Sequence, residues 1–389
     1  MPTDRLPWAP RLDLWHNAHK LAGTLPPDYR HASLRELTDA LDWGFHAVIP
    51  QFKELRSPAD ECHRALGVYN LWSMPYATVF ENVDVSMESA GDDTIVTYRT
   101  PKGDARTRVR YDAAMRQAGI TISHIVEHAI KGPTDYAVIA WLFDNARVVP
   151  NYDGYGRFAE EVGDRGCAVG FVSLAGSPMH LLLRELMPAD RFYYESADHP
   201  DDLAHCAASI GRYYERVFDT VAGSAAEICL FGANFDAGLT CPPFFDEHIK
   251  PWLRKFADRL HGRGKLLLTH PDGENAGLLD SYLDCGMDIA DSICPAPMTR
   301  LTLRQVREHF ADRISILGGF PSMALLPECM SERRFEAYLD EFFDQLGAGR
   351  RLVLGISDTT PPGADFRRLV TIGERARRFR PGAPVTEET

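Results

Sequence analysis

The sequence predicts an α/β protein, and within that class a (β/α)8 TIM-type barrel with an inserted β-hairpin flap after strand 2. Short apolar runs alternate with amphipathic stretches along the 389 residues, as βα units require. From residue 225 onward these runs follow one another at a regular spacing of about 25–40 residues. A chain of this length accommodates a barrel of about 250 residues with insertions, so we expect one domain over residues 1–389.

Eight apolar or β-branched runs are the predicted strands. They lie at residues 12–16, 46–50, 167–173, 227–231, 265–270, 288–293, 314–318 and 351–356. Each run is followed, directly or after a loop, by an amphipathic helical pattern. Eight strands in βα alternation favour a barrel over an open sheet.

More than a hundred residues separate the second and third predicted strands. Within this interval residues 94–111 alternate apolar and polar side chains across a Pro-Lys-Gly-Asp turn, which predicts a β-hairpin. We assign it to a flap over residues 70–132. Insertions at the carboxyl ends of barrel strands lie over the mouth, so a lid over the substrate is one interpretation. A structural plug or a dimer contact is the other.

Composition and charge exclude several classes of protein. The chain carries 42 Lys and Arg against 55 Asp and Glu, a formal charge of −13 that repels nucleic-acid backbones. No apolar run approaches the 18 or so residues of a membrane span, and no signal peptide is visible. The eight cysteines are scattered without a Cys-x-x-Cys pair. We therefore expect a cytoplasmic protein with reduced thiols, and a homodimer is the default for a barrel of this size.

Polar residues collect where the predicted strands end. Active sites of (β/α)8 barrels are built at this carboxyl face, so these side chains are the functional candidates. The candidates are His16, Asn17, His19, Asn234, Asp236, His270, Asp272, Cys294 and Asp358.

His270 and Asp272 are the most specific pair among them. An imidazole and a carboxylate two residues apart at a strand end can bind a divalent metal or act as an acid–base pair. Alternatively, Asp272 caps the following helix. Asp236 stands among small residues in a Gly-Ala-Asn-Phe-Asp-Ala-Gly loop. It is the third catalytic candidate, although an Asx-turn that only shapes the loop explains the same pattern.

The remaining candidates are assigned to substrate binding. His16, Asn17 and His19 follow the first predicted strand, Asn234 the fourth and Cys294 the sixth. Either histidine could instead fill the end of the barrel. A buried cysteine such as Cys294 is more often packing than a ligand or nucleophile.

Four segments carry a resemblance to a known family. They are GANFDAGLTCPPFFDEHIKPWLRKF (232–256), LLLTHPDGENAGLLDSYLDCGMDIADSICP (266–295), ISILGGFPSM (314–323) and LVLGISDTTPPGADFRRL (352–369). In order and spacing they resemble the uroporphyrinogen decarboxylase superfamily of (β/α)8 barrels. That superfamily includes the heme-pathway decarboxylase and corrinoid-linked methyltransferases. The decarboxylase has paired arginines after the first strand, where this chain has His16, Asn17 and Lys20. The resemblance is therefore closer to the methyltransferase branch.

The resemblance also implies a metal site. Members of the methyltransferase branch hold zinc with a His-x-Cys motif and a later cysteine. At the matching positions this chain has His270, Asp272 and Asp358. Replacing two thiolates by two carboxylates makes the ligand set harder and less selective for zinc, and it suits an oxygen-linked substrate better than a thiol.

The resulting expectation is a metal-assisted methyltransferase. It would move a methyl group from a small, oxygen-linked donor to a corrinoid protein, with His270, Asp272 and Asp358 holding a divalent metal, zinc by resemblance. The alternative is a metal-independent decarboxylase or lyase acting on a small carboxylated substrate. There Asp236 would stabilise positive charge and His270 would protonate the carbanion. A third hypothesis is an inactive barrel that binds a ligand or a partner.

Overall fold

The computed structural model describes residues 5–380 of the chain. Its strands are β1 (Tyr76–Phe80), β2 (Asp84–Ala90), β3 (Asp93–Thr100), β4 (Gly103–Arg110), β5 (His124–Glu127), β6 (Ala146–Pro150), β7 (Val169–Ser173), β8 (Ile228–Ala233), β9 (Leu266–His270), β10 (Ile289–Ile293), β11 (Ser315–Phe320) and β12 (Leu352–Ile356). Its α-helices are α1 (Asp13–Ala22), α2 (Leu34–Ala40), α3 (Ala113–Gln117), α4 (Asp135–Asp144), α5 (Tyr152–Val162), α6 (Pro178–Leu181), α7 (Ala189–Asp198), α8 (Pro200–Ala222), α9 (Pro242–Phe244), α10 (Lys250–His261), α11 (Leu279–Asp284), α12 (Leu303–Phe310), α13 (Glu332–Asp344) and α14 (Phe366–Arg378).

A six-stranded parallel sheet forms the centre of the α/β fold. Its strands β7 to β12 lie side by side in chain order. The six strands correspond to the third to eighth strands predicted from the sequence, each within a few residues. Parallel neighbours joined by helical crossovers have both faces covered, which explains why these strands are almost continuously buried. The predicted α/β class is confirmed.

The first predicted strand is wrong. Residues 12–16 belong largely to α1, which ends at Gly23 in a left-handed cap. The buried side chains Leu12, Trp15 and Ala18 follow the helical spacing of three residues, and a short window is not enough to tell this from a strand. The extended segment lies just upstream. There Leu354 donates its N–H to the Pro7 carbonyl at 2.9 Å and Ala9 donates to the Leu354 carbonyl at 2.8 Å.

Residues 46–50 also form no regular strand, but residues 44–47 make sheet-like backbone contacts. Gly44 donates its N–H to the carbonyl of Trp8 at 2.8 Å. Val169, at the start of β7, donates to the carbonyl of Ala47 at 3.3 Å. Backbone hydrogen bonds thus connect residues 7–9 with β12 and residue 47 with β7.

A separate antiparallel sheet occupies the long interval before β7. It has the order β2-β3-β4-β5. The hairpin that residues 94–111 predict is present as β3 and β4, which pair from Asp93 with Arg110 to Thr100 with Gly103. One face of this hairpin packs inward, since Val96 and Tyr98 are buried.

Aromatic packing holds the outer helices against the parallel sheet. The rings of Phe218 on α8 and Phe256 on α10 stack with centroids 4.3 Å apart. Phe231 on β8 meets both rings edge-on. Such pairs add about 0.5–1.5 kcal/mol each beyond the burial of their surface. The cluster anchors β8, whose carboxyl end leads directly to Asn234.

Two further properties bear on the sequence-based expectations. All eight cysteines are free. Among residues 5–380, none of the helices combines the length and the apolar character that a bilayer span requires.

His180 is a buried histidine that does not belong to the polar strand ends. It lies on α6 with 1% of its surface exposed, and its Nδ1 accepts the backbone N–H of Gly176 at 3.1 Å. Burial, helped by the nearby Arg184 charge, lowers its pKa from 6.5 to about 3. The native protein therefore keeps His180 neutral at a pH where the unfolded chain takes up a proton.

This difference in pKa predicts an acid-dependent loss of stability. Below pH 6.5 the unfolded state binds a proton that the native state does not, so the free energy of unfolding falls as the pH falls. Between pH 7 and pH 5 the loss due to His180 is about 2 kcal/mol. Urea unfolding at the two pH values should show that loss in the wild-type protein and not in His180→Asn, which keeps an acceptor near the Nδ1 position. His309→Asn, at an exposed site, serves as the control. An equal pH dependence in wild type and His180→Asn would contradict the assignment.

Candidate functional site

Three strand-end residues come together at the carboxyl edge of the parallel sheet. His270 is the last residue of β9, Asp272 follows two residues later, and Asp358 lies two residues beyond β12. One imidazole nitrogen and one oxygen of each carboxylate lie within 4.8 Å of one another. Asp272 and Asp358 are half-buried, whereas His270 is buried. These three side chains, which we call the triad, could hold a single cation between them.

A buried carboxylate fixes the orientation of His270. The His270 Nδ1 donates to Asp291 Oδ2 at 2.6 Å, and Asp291 is completely buried on β10. The Nε2 is left facing the triad, 3.4 Å from Asp358 Oδ1. A carboxylate behind a histidine in this way sets the tautomer that a metal ligand requires.

The pKa values of this pair reflect competing effects. Burial lowers the pKa of His270, but the hydrogen bond to Asp291 and the charge of Asp358 outweigh it and raise the pKa to about 9. Burial raises the pKa of Asp291, but the hydrogen bonds from His270 and His46 hold it well below the usual range. Both shifts favour the ionised forms of the pair, the Asp291 carboxylate and the protonated His270 ring.

Arg11 positions Asp358 from the opposite end of the sequence. Its Nη1 donates to Asp358 Oδ1 at 2.8 Å, while Nε and Nη2 donate to the two oxygens of Asp13 at 3.1 and 3.2 Å. Asp358 adopts a left-handed backbone conformation with φ +57°, which is uncommon outside glycine. The guanidinium thus holds one oxygen of Asp358 beside His270.

Asp272 is held from two sides. Its Oδ2 accepts a hydrogen bond from Asn234 Nδ2 at 3.2 Å, and its Oδ1 accepts one from Cys294 Sγ at 2.9 Å. Burial and the charge of Asp358 raise the pKa of Asp272, and burial raises that of the Cys294 thiol. Cys294 is accordingly a protonated thiol that contacts the triad.

Asn234 is itself fixed by a chain of ion pairs. Arg184 Nη1 donates to Asn234 Oδ1 at 2.9 Å, and its Nε donates to Glu185 at 3.1 Å. Glu185 is buried and also receives Arg64 Nη1 at 2.7 Å. This network turns the Asn234 amide so that its NH2 group faces Asp272.

The structure places two predicted residues outside this group. Asp236 Oδ1 accepts the N–H of Gly238 at 2.8 Å and its Oδ2 accepts the N–H of Glu274 at 2.9 Å, which is the loop-shaping alternative for this side chain. His19 has partners on both ring nitrogens, Thr24 Oγ1 at 2.7 Å and the Pro362 carbonyl at 2.9 Å. It ties α1 to the loop before α14.

The two other predicted residues of α1 line a cavity of about 310 Å³. His16 contacts the carbonyl of Ala32 through Nε2 at 2.9 Å, and burial lowers its pKa. Asn17 Nδ2 donates to Gln51 Oε1 at 3.0 Å and to the Gly119 carbonyl at 3.2 Å. Arg11, which contacts Asp358, also lines this cavity, whereas His270, Asp272 and Asp358 do not.

Sequence reasoning assigned no role to Arg11, His46 and Asp291. His46 lies in the cavity wall with Nε2 3.5 Å from Asp291 Oδ1, so one buried carboxylate serves two imidazoles. Asp291 was visible in the sequence as a carboxylate near the end of a mostly apolar strand, and its need for buried partners was the signal for its role. The sequence around Arg11 contained no signal of its role, since its contact with Asp358 joins positions 347 residues apart.

The shared guanidinium predicts a large effect of Arg11 on stability. Arg11→Met leaves Asp13, with 11% of its side chain exposed, without its bidentate partner. Breaking such a buried pair costs about 3 kcal/mol. Chemical denaturation should show that loss, and Asp13→Asn added to Arg11→Met should restore part of it. Arg5→Met, at an exposed ion pair with Asp42, is the control and should change stability by less than about 1 kcal/mol. An equal effect of both single variants would contradict the role given to Arg11.

Comparison with known proteins leaves the family open. No family model matches the chain, and no curated protein sequence matches it. A solved structure of a methyltransferase from Methanosarcina mazei is similar to it with a TM-score of 0.49 and 15% sequence identity. That similarity covers 97% of this chain and 94% of the other. At this level the likeness assigns neither a family nor an activity.

Proposed function

We propose that this protein is a metal-assisted methyltransferase, with a divalent cation held by His270, Asp272 and Asp358. The observation that carries the proposal is the convergence of three potential ligand atoms within 4.8 Å, on a histidine whose far nitrogen is held by a buried carboxylate. The methyl donor is a small oxygen-linked compound, and the acceptor is a corrinoid carried by a partner protein. Both follow from the resemblance and from the hard character of the ligands.

The donor set fits a divalent cation. An imidazole and two carboxylates are ordinary ligands of zinc and of harder dications. The local charge points the same way, because four carboxylates outnumber the two cations beside them, the guanidinium of Arg11 and the protonated ring of His270. The carboxylates are those of Asp13, Asp272, Asp291 and Asp358. These carboxylates would favour a bound dication, and His270 would give up its Nε2 proton to become a ligand.

The surrounding residues prepare the triad. A bound dication supplies a Lewis acid that stabilises the oxygen from which the methyl group departs. Asp291 holds the His270 ring so that Nε2 faces the two carboxylates. Arg11 holds one oxygen of Asp358, and Asn234 and Cys294 each hold one oxygen of Asp272. Little side-chain rearrangement is then needed when the site is occupied.

The cavity beside Arg11 is the proposed site for the donor. Its volume of about 310 Å³ lies at the lower end of the range for small-molecule sites. His16 and Asn17, both on α1, contribute polar groups to its wall. An oxygen-linked donor suits carboxylate ligands, which prefer hard partners over soft thiols.

We also propose that the parallel sheet closes into a (β/α)8 barrel within one domain over residues 1–389. Residues 7–9 and 44–47 supply its first two strands, a proposal supported by their backbone hydrogen bonds to β12 and β7. Residues 70–132 form the flap beside its mouth. The contact of Asn17 with the Gly119 carbonyl supports this, since it brings the flap to the cavity wall.

The decarboxylase or lyase alternative is less well supported. It requires Asp236 as a carboxylate free to face positive charge in the substrate. Both Asp236 oxygens accept backbone N–H groups within the loop. His270 Nε2, by contrast, faces the Asp358 carboxylate of the triad at 3.4 Å, as a shared metal site would require.

Metal binding tests the triad directly. Metal-free protein should bind Zn²⁺ or Mn²⁺ with one site in calorimetry, and His270→Ala should weaken that binding at least a hundredfold because one of three ligands is lost. His261→Ala is the matched control, since His261 pairs with Asp288 before the amino end of β10. Asp291→Asn should weaken binding by about 10–100-fold through His270. Equal affinities of wild type and His270→Ala would contradict the site.

Activity tests the reaction. Metal-loaded protein should transfer the methyl group of methanol or 2-methoxyphenol to free cob(I)alamin, which takes the methyl while the oxygen keeps the bonding electrons. Formation of methylcobalamin is followed by visible absorbance, and His270→Ala should abolish it. Turnover of a carboxylated substrate with uptake of solvent deuterium, without any corrinoid, would instead support the lyase alternative.

A further inference from the structure

A second polar cavity lies at the opposite end of the parallel sheet from the triad. Its volume is about 360 Å³. Ile314 and Arg351, immediately before β11 and β12, line it, whereas the triad follows the carboxyl ends of strands. The length of β12, roughly 13 Å for five residues, therefore separates the two places.

Four arginines line this cavity, in a chain with a net charge of −13. They are Arg304, Arg307, Arg350 and Arg351. Among the described residues none of the four has a carboxylate oxygen within 4.0 Å, whereas arginines elsewhere, such as Arg212 and Arg259, pair with carboxylates. Glu308 and Asp312 also lie in the lining. The cavity keeps a local excess of positive charge.

The structure holds one of these arginines in place before any ligand arrives. Arg307 is half-buried, and its two terminal nitrogens donate to the carbonyls of Leu346 and Arg350. Burial lowers the pKa of Arg307, and the charge of Asp312 offsets this only in part. An anion close to this guanidinium would therefore be stabilised by a cation that has no carboxylate oxygen within 4.0 Å among the described residues.

The loop that carries Arg350 and Arg351 has an unusual backbone. Arg351 has a left-handed backbone conformation with φ +53°, and Gly347 and Gly349 in the same loop have φ +54° and +61°. A side chain at such a position is strained relative to glycine. This loop places Arg350 and Arg351 side by side in the cavity wall.

We propose that this cavity is a binding site for a compact multivalent oxyanion, of the class of pyrophosphate or a phosphorylated small molecule. Forked guanidinium groups match phosphate oxygens in pairs. A concave site of this volume suits a small molecule better than a flat acidic protein surface, and the global negative charge disfavours a nucleic acid. The site is independent of the proposed methyl transfer.

Calorimetric titration of the full-length protein with inorganic pyrophosphate tests the proposal. We expect a single site whose affinity falls as NaCl is raised. Arg350→Gln combined with Arg351→Gln should weaken binding by about tenfold or more. The matched control is Arg367→Gln with Arg378→Gln, which removes the same charge from exposed positions on α14 and should leave the affinity unchanged.

Thermal unfolding without ligand verifies that the cavity variant is folded, and Arg304→Gln is a second variant outside the strained loop. Affinity lost in both cavity variants and kept in the control supports the site. Absence of binding at millimolar pyrophosphate, or an equal affinity in all variants, would overturn it. Binding of hexaglutamate without binding of pyrophosphate would overturn the small-molecule class in favour of an acidic protein partner.

Discussion

The hydrogen bond between His270 and Asp291 is the constraint on which the candidate site depends. A fully buried carboxylate in the middle of a parallel sheet is costly unless each oxygen finds a partner, and Asp291 finds His270 on one oxygen and His46 on the other. Pairing of β10 with β11 shifts register between Asp291 and Ile293. This irregularity lets Asp291 face its two histidines while the strand continues. The orientation of His270 is then set by Asp291, a residue of the sheet.

The rest of the site is assembled from distant parts of the chain around that histidine. Arg11 reaches Asp358 from the segment before α1, and Arg184 reaches Asn234 from the residues after α6. Each contact turns a carboxylate or amide toward one point instead of toward solvent. The triad is therefore held by the tertiary fold, and loosening any of these contacts is expected to disperse its ligand atoms.

Local sequence patterns predicted those features of the fold that depend on a few neighbouring residues. Six strands of the parallel sheet and the β3–β4 hairpin were predictable because alternation and apolar runs report burial over a few residues. The grouping of His270, Asp272 and Asp358 was predictable because parallel strands bring their carboxyl ends together. The strand predicted at residues 12–16 was wrong because the buried face of a helix from Leu12 to Ala18 resembles a short apolar strand over so few residues. Arg11 and His46 were missed because their roles rest on partners 245 or more residues away.

Anomalous diffraction is the most direct test of the central claim. Crystals of the protein grown with Zn²⁺ or Mn²⁺ would be measured on both sides of the absorption edge of the metal. The account predicts one strong peak about 2.0–2.2 Å from His270 Nε2 and from an oxygen of each of Asp272 and Asp358. If crystals grown at a saturating metal concentration show no anomalous peak among these three side chains, the proposed metal site is contradicted.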